Sequence, residues 1–154
     1  MEDKLHSFLA DWTVNFVRNK DILLKKIQSI EKNKAGFDIY VKYKDKEQFF
    51  IIAPKIPDTD SIISKLNKNS RYSIITLNSK QNLDALVKSW SRLAGFRSLN
   101  VMFVNPFSET EKKWIICPYV HDKICDQGSL KTGLKSIFES VEPIEEEQIA
   151  AKIN

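Results

Sequence analysis

The chain has 154 residues, of which 42% are hydrophobic, and it carries a formal net charge of +4. This length suits one domain with a single core, and the few glycines and prolines, four and five, leave no stretch typical of a linker. The longest apolar run is far too short to cross a membrane, the first residues lack the layout of a signal peptide, and two cysteines cannot form a disulfide framework. We therefore expect a cytoplasmic protein with no membrane partner.

The N-terminal region shows the apolar spacing of a helix. Apolar residues recur at helical intervals in two groups, first Leu5, Phe8, Leu9, Trp12 and Phe16, then Leu23, Ile27 and Ile30. The polar group at 18–21 between them predicts either one long helix or a break into two. Gly36 is expected to end this helical region.

Residues 37–53 predict a β-hairpin. Two strand-like runs, 37–43 and 48–53, flank the polar turn 44–47, and a symmetric turn there places Asp38 opposite Ala53. Because side chains alternate along a strand, Asp38, Ala53 and Lys55 would share one face of the hairpin. The other face would then lie on the core.

Two prolines and a capping residue predict where the hairpin ends and the next helix begins. Pro54 and Pro57 are expected to close the second strand, because proline donates no hydrogen bond to a ladder. Asp58 is expected to cap a short helix that ends at about Leu66.

Residues 71–104 predict a parallel βαβ unit. The strand at 71–77 is followed by a helix that Asn78 and Gln81 would begin as a capping box and Gly95 would end, and the next strand is 99–104. A further strand at 113–117 is expected to run antiparallel to the last one.

The C-terminal part predicts one more helix, from about Ser129 to Pro143. Residues 1–142 are therefore expected to form a single α/β domain, with a mixed sheet of about five strands flanked by helices. Residues 143–154 form either an acidic tail or a short helix, and the sequence leaves both open.

The order of helix, hairpin, short helix, strand, helix and strand resembles the core of the PD-(D/E)XK nuclease superfamily, a mixed sheet flanked by helices. In that family an Asp on one hairpin strand and an acid-x-Lys on the next bind Mg²⁺ and position a water for phosphodiester hydrolysis. Asp38 matches the first acid, preceded by Phe37 in place of the family's proline, and Lys55 matches the lysine. Ala53 stands where the second acid would be. The resemblance thus implies Asp38 and Lys55 as candidate catalytic residues.

A single carboxylate gives Mg²⁺ little affinity, so we expect a catalytically inactive protein that acts in binding and needs no cofactor. The alternative is a divergent, Mg²⁺-dependent nuclease that uses Asp38, Lys55 and an acid from elsewhere. The candidates for that acid are Asp11, Glu31 and Asp58.

Lysines concentrate in the N-terminal half of the chain. They predict a surface that attracts the phosphates of nucleic acid, formed by Lys25, Lys26, Lys42, Lys44 and Lys46. The alternative is a solvated face that only keeps the protein soluble.

A second candidate surface contains aromatic residues beside a polar turn: Asn105, Trp114, Tyr119 and His121. Aromatic residues are enriched where proteins bind partners, so this segment predicts a ligand crevice or a contact with another protein. A homodimer through an edge strand or the Trp90 helix is left open. A protein-interaction module with no nucleic-acid role is therefore the third functional hypothesis. The alternative is that these residues cap the core.

Cys117, His121 and Cys125 are spaced four apart, as soft-metal ligands on one helix face would be. A structural zinc site normally has four ligands, no fourth is evident, and Pro118 argues against a continuous helix. We therefore predict no metal site there.

Overall fold

The computed structural model describes residues 2–56 and 59–154, and within them one sheet of six strands is covered by helices on both faces. The strands are β1 (Ile27–Lys34), β2 (Phe37–Tyr43), β3 (Glu47–Ile52), β4 (Tyr72–Leu77), β5 (Leu99–Val104) and β6 (Lys113–Ile116). The helices are α1 (Glu2–Lys20), α2 (Thr59–Ile63), α3 (Lys80–Lys88), α4 (Trp90–Leu93), α5 (Pro118–Ile124), α6 (Leu130–Phe138) and α7 (Glu146–Ile153), with a 3₁₀ turn at Gln127–Ser129.

The strands lie in the sheet in chain order, from β1 at one edge to β6 at the other. Neighbours are antiparallel from β1 to β3 and parallel from β3 to β5, and β6 is antiparallel to β5. This mixed α/β sheet confirms the expected fold class, with one strand more than expected. The parallel βαβ unit and the antiparallel β6 are confirmed as well.

Two apolar layers, one on each face of the sheet, form the core. The first packs Leu86 and Leu134 from the helices against Tyr72 and Phe103, and the second packs Leu9 of α1 and Ile149 of α7 against Ile39 and Ile75. Every residue of β4 is buried, as expected of a central strand covered on both faces. Full burial of an aliphatic side chain such as that of Ile75 contributes about 1.5–3 kcal/mol.

Residues 27–34 form a strand, which corrects the second helix that the sequence predicted. The ladder with β2 shifts between Ile27 and Ser29, so Ile27 and Ile30 both pack on the layer beneath α1 although they are three residues apart. A bulge of this kind produces the spacing of a helix in a strand. The predicted break at 18–21 is confirmed, because α1 ends at Lys20.

The β2–β3 hairpin has a shorter turn than predicted. Tyr43 N donates to Lys46 O at 2.8 Å, so the turn contains only Lys44 and Asp45. Ile39 therefore pairs with Phe50, and the register is shifted by two residues from the predicted one. Continued along the strand, this register places Asp38 level with Ile51 rather than with Ala53.

The predicted cap of α3 is also wrong by one residue. Ser79 is the N-cap and its side chain accepts from Asn82 N at 3.2 Å, while Asn78 is buried in the core. The helix is interrupted at Ser89, where α4 begins. Pro57 and Asp58, predicted to end the hairpin strand and to cap α2, lie outside the described residues.

The C-terminal segment forms a short helix, which is one of the two alternatives, acidic tail or short helix, that the sequence left open. Glu145 and Gln148 form a capping box at the start of α7, and Ile149 is fully buried in the layer that α1 covers. Ile144 is buried there as well. The acidic triplet at 145–147 thus belongs to an ordered helix start, with Glu145 and Glu147 exposed to solvent.

Candidate functional site

Asp38 is bonded on both carboxylate oxygens by groups of this chain. Oδ2 accepts from Ile52 N at 2.7 Å, and Oδ1 accepts from His6 Nε2 of α1 at 2.9 Å. In an unbroken ladder Ile52 N would donate to the carbonyl of Phe37, so the carboxylate takes the place of a main-chain acceptor. Asp38 thereby ties together α1, β2 and β3.

The local chain explains why the Asp38 side chain reaches β3. Phe37 is buried in the layer beneath α3 and packs against Phe49 and Tyr72, with ring centroids 4.8 and 5.4 Å apart. Ile39 is buried in the opposite layer. In a regular strand, residues two apart such as Phe37 and Ile39 face the same side of the sheet. Here they face opposite sides, so the alternation of β2 is broken at Asp38 between them.

Lys55 is exposed and lies three residues after the end of β3, in a bend that does not continue the strand. The segment is fixed by Asn82, which donates to Pro54 O at 2.9 Å and accepts from Ile56 N at 2.9 Å. Lys55 shares a shallow hollow with the acidic residues at the start of α7: Glu145, Glu146 and Glu147. The triplet was visible in the sequence, but its position beside Lys55 depends on the fold of the whole chain.

The acids considered as replacements for the missing ligand have other partners. Asp11 Oδ1 lies 2.7 Å from Lys32 Nζ, and Glu31 Oε2 lies 3.0 Å from Lys34 Nζ. Asp58 lies outside the described residues. Within the described ranges, no group of three or more His, Cys, Asp or Glu side chains is arranged to hold a metal ion.

The five lysines predicted to bind nucleic acid meet at one end of the sheet, which we call the basic end: Lys25, Lys26, Lys42, Lys44 and Lys46. Lys44 N donates to Lys26 O at 2.8 Å, and Ser29 pairs with Lys42, so the segment before β1 lies beside the hairpin turn. All five lysines are exposed. Lys46 Nζ lies 5.0 Å from the ring centroid of Tyr43, and Lys26 Nζ lies 3.8 Å from Asp45 Oδ2.

The basic end and Asp38 lie at opposite ends of β2. At about 3.3 Å per residue, Asp38 and Lys44 are separated by about 20 Å along the strand. The structure therefore assembles the predicted lysine surface but does not bring it to the predicted catalytic residues.

The predicted aromatic surface is divided between the core and α5. Trp114 and Asn105 are buried. Trp114 stacks on Phe103 at 4.3 Å and donates from Nε1 to Asn78 Oδ1 at 2.7 Å. Asn105 donates to Glu142 O at 2.9 Å. Asn105 therefore holds Glu142 against the sheet, and Asn78, the partner of Trp114, holds the same segment through Phe138 O and Val141 O.

Tyr119 and His121 lie on α5. The hydrogen bond from Lys123 to the Tyr119 hydroxyl, at 2.7 Å, and the weaker contact with Arg97 lower the pKa of that phenol. His121 stands edge-on to Trp90, with ring centroids 5.6 Å apart, and its buried Nε2 has no hydrogen-bond partner among the described residues.

The two cysteines flank α5 and face different groups. Cys117 Sγ lies 3.9 Å from Arg97 O and Cys125 Sγ lies 3.4 Å from Asp126 O. Pro118 was expected to prevent a continuous helix from Cys117, and the helix does begin only after that cysteine, with Cys117 and Cys125 as its two caps. The helix starts at this proline, a position where a missing N–H costs nothing.

Sequence reasoning missed an exposed apolar group next to the basic end. Ile22, Leu23 and Leu24 follow α1 in a turn and are 62%, 91% and 61% exposed. The helical spacing had predicted that Leu23 lies on an apolar helix face, which the structure corrects. The signal was present in the sequence, since three consecutive aliphatic residues directly follow the polar group at 18–21.

Comparisons with known proteins add no assignment. No protein-family model matches the chain, and searches of curated proteins and of solved structures find no match. Among the described residues, no helix is both long enough and apolar enough to cross a membrane.

Proposed function

We propose that this protein binds nucleic acid without cleaving it, and that the basic end contacts the phosphates. The observation that carries the proposal is the hydrogen bond from Lys44 N to Lys26 O, which joins two separate lysine-rich segments into one exposed surface. Clustered lysines raise the local potential and release counterions from a polyanion when they bind it.

A nuclease-like core without nuclease activity is the second part of the proposal. The succession of α1, the β2–β3 hairpin, α2, β4, α3 and β5 supports the resemblance to the PD-(D/E)XK core, to which this chain adds β1 before the hairpin. The bonds of Asp38 to Ile52 and His6 support a structural use of that carboxylate. Ala53 is buried and offers no ligand.

Fluorescence anisotropy with a labelled DNA duplex of about 20 base pairs at about 50 mM salt tests the binding. We expect wild-type protein to bind and the Lys26→Gln/Lys44→Gln variant to bind at least tenfold more weakly, because two phosphate contacts are lost. The matched control is Lys131→Gln/Lys135→Gln on α6, where both lysines are also exposed. Absence of wild-type binding at this salt would favour the hypothesis of a protein-interaction module.

Cleavage is tested with plasmid and single-stranded DNA in the presence of Mg²⁺ or Mn²⁺. We expect no cleavage. Metal-dependent cleavage that Asp38→Asn abolishes would establish the divergent nuclease instead and overturn the non-catalytic half of the proposal.

We also propose a cytoplasmic location. The free thiols of Cys117 and Cys125 support it, because a reducing environment keeps cysteines in this form. Binding of a protein partner, or of a second copy of the chain, is compatible with the proposal on surfaces away from the basic end.

A further inference from the structure

The turn between α1 and β1 projects three consecutive aliphatic side chains, Ile22, Leu23 and Leu24, which we call the aliphatic tip. Their exposed fractions of 62%, 91% and 61% place them among the most exposed large apolar residues of the described chain. Scattered exposed leucines need no explanation, but three in succession on one projection mark a contact surface.

The aliphatic tip is held by main-chain and side-chain bonds from Asp21. Its carboxylate accepts from Lys26 N at 2.9 Å and from Ile27 N at 3.0 Å, and its carbonyl accepts from Lys25 N at 2.8 Å. Lys25 adopts a left-handed φ of 52° to close the turn. The tip is therefore ordered before a partner binds, which reduces the entropy lost on binding.

Basic side chains lie beside both chain neighbours of Leu23. The hollow beside Leu24 is lined by Lys20, Lys26 and Lys46 together with Asp21 and Asp45. The hollow beside Ile22 is lined by Arg18 and Lys25 together with Asp21, so basic residues outnumber acidic ones in both. An apolar tip with an excess of cations beside it offers contacts to both the stacked bases and the phosphates of a duplex.

We infer that the aliphatic tip is a wedge that inserts between base pairs of duplex DNA while the flanking cations contact the two backbones. This inference rests on the proposed nucleic-acid binding and adds how the duplex is engaged. Phosphates present no apolar surface to an aliphatic side chain, whereas the flat faces of the bases do. Leucine and isoleucine are among the side chains that open base steps in this way, and the unstacking is offset by the larger contact that a kinked duplex makes.

A duplex containing 2-aminopurine tests the wedge, because unstacking this base increases its fluorescence. We expect wild-type protein to increase the signal on binding. The Leu23→Ser variant should bind about tenfold more weakly, with an unchanged salt dependence and no increase in fluorescence. The matched control is Ile124→Ser on α5, where an equally apolar side chain is 77% exposed, and it should behave as wild type.

The outcomes separate the wedge from the binding on which it rests. Binding of wild-type protein with no rise in fluorescence would overturn the wedge and leave the proposed function standing. No binding at low salt would overturn both. If wild-type protein instead co-sediments with phosphatidylcholine vesicles containing phosphatidylserine, Leu23→Ser does not, and 2-aminopurine stays stacked, the tip is a membrane contact and the wedge is wrong.

Discussion

The carboxylate of Asp38 holds three elements of the fold through two hydrogen bonds, to Ile52 N of β3 and to His6 of α1. The residue type and its strand were predictable from the sequence, but its partners were not. His6 is 32 residues away, and the contact with Ile52 depends on the break in the alternation of β2 at Asp38, between Phe37 and Ile39. A residue matched to a catalytic motif by position can therefore be structural in its contacts.

Replacing Asp38 with Ala is expected to lower the free energy of unfolding by about 1–3 kcal/mol, because Ile52 N loses its acceptor in a partly buried place. Asp38→Asn should cost less, since the amide oxygen still accepts from Ile52 N. Urea unfolding measures both. Asp11→Ala, which removes only an exposed ion pair with Lys32, is the control and should cost no more than about 1 kcal/mol. Equal stability of Asp38→Ala and wild type would contradict the structural role.

Tyr40 gives the fold a dependence on alkaline pH. Its hydroxyl donates to Glu47 Oε1, and this bond, with burial and the nearby carboxylate charges, raises the pKa of Tyr40 from 10.0 to about 12. The folded protein keeps the neutral phenol in a range where the unfolded chain ionises. The stabilisation is thus complete below pH 10 and is lost as the pH rises through about 12.

We expect the unfolding midpoint in urea to fall more steeply for wild type than for Tyr40→Phe between pH 10 and about 12. The difference between the two curves isolates this tyrosine from the lysines that titrate in the same range. In Glu47→Gln the loss should be smaller, because the carboxylate that raises the pKa of Tyr40 is gone and the folded and unfolded chains then ionise this phenol over more similar pH ranges. Parallel curves for wild type and Tyr40→Phe would contradict the bond.

At the scale of elements, the spacing of apolar residues was sufficient to predict a strand or helix that buries one uninterrupted face. The βαβ unit of β4, α3 and β5 and the helix α6 were predicted in this way. The apolar spacing gave the wrong prediction for β1, because the bulge between Ile27 and Ser29 gives this strand the spacing of a helix. The turn of the β2–β3 hairpin was also misjudged, since Glu47 is polar and yet belongs to β3, where the Tyr40 hydroxyl stabilises it.

The weak apolar pattern of residues 143–154 could not show whether they form a helix. The packing of α7 in the structure leads to a test of its role. Ile149 is fully buried against the layer that α1 covers, so Ile149→Ala should lower the free energy of unfolding by about 2–5 kcal/mol. Ile124→Ala on α5 is the control, because that side chain is exposed and its loss should cost no more than about 0.5 kcal/mol. Urea unfolding measures both, and similar midpoints for the two variants would mean that α7 does not support the core.

At the scale of the whole molecule, one sheet separates two possible sites. The acidic triplet at 145–147 is packed beside Lys55, just beyond the end of β3, while the basic end surrounds the β2–β3 turn at the other end of that strand. The sequence predicted which lysines cluster, because they lie close along the chain and about one hairpin. It did not predict the place of the acidic triplet beside Lys55, which depends on how α7 packs on the sheet.

This arrangement predicts how salt affects the binding of duplex DNA. On a plot of log affinity against log salt, each phosphate contact contributes a slope of about 0.9. Lys25→Gln/Lys26→Gln and Lys44→Gln/Lys46→Gln should each lower the slope by up to about 1.8, and the four substitutions together by about the sum, because both segments face the same duplex. Anisotropy titrations between about 50 and 200 mM salt measure the slopes, with Lys131→Gln/Lys135→Gln as the control that keeps the wild-type slope. If only one of the two pairs lowered the slope, the segments would not form a single phosphate-binding surface, and the joining of Lys26 to Lys44 would concern the fold alone.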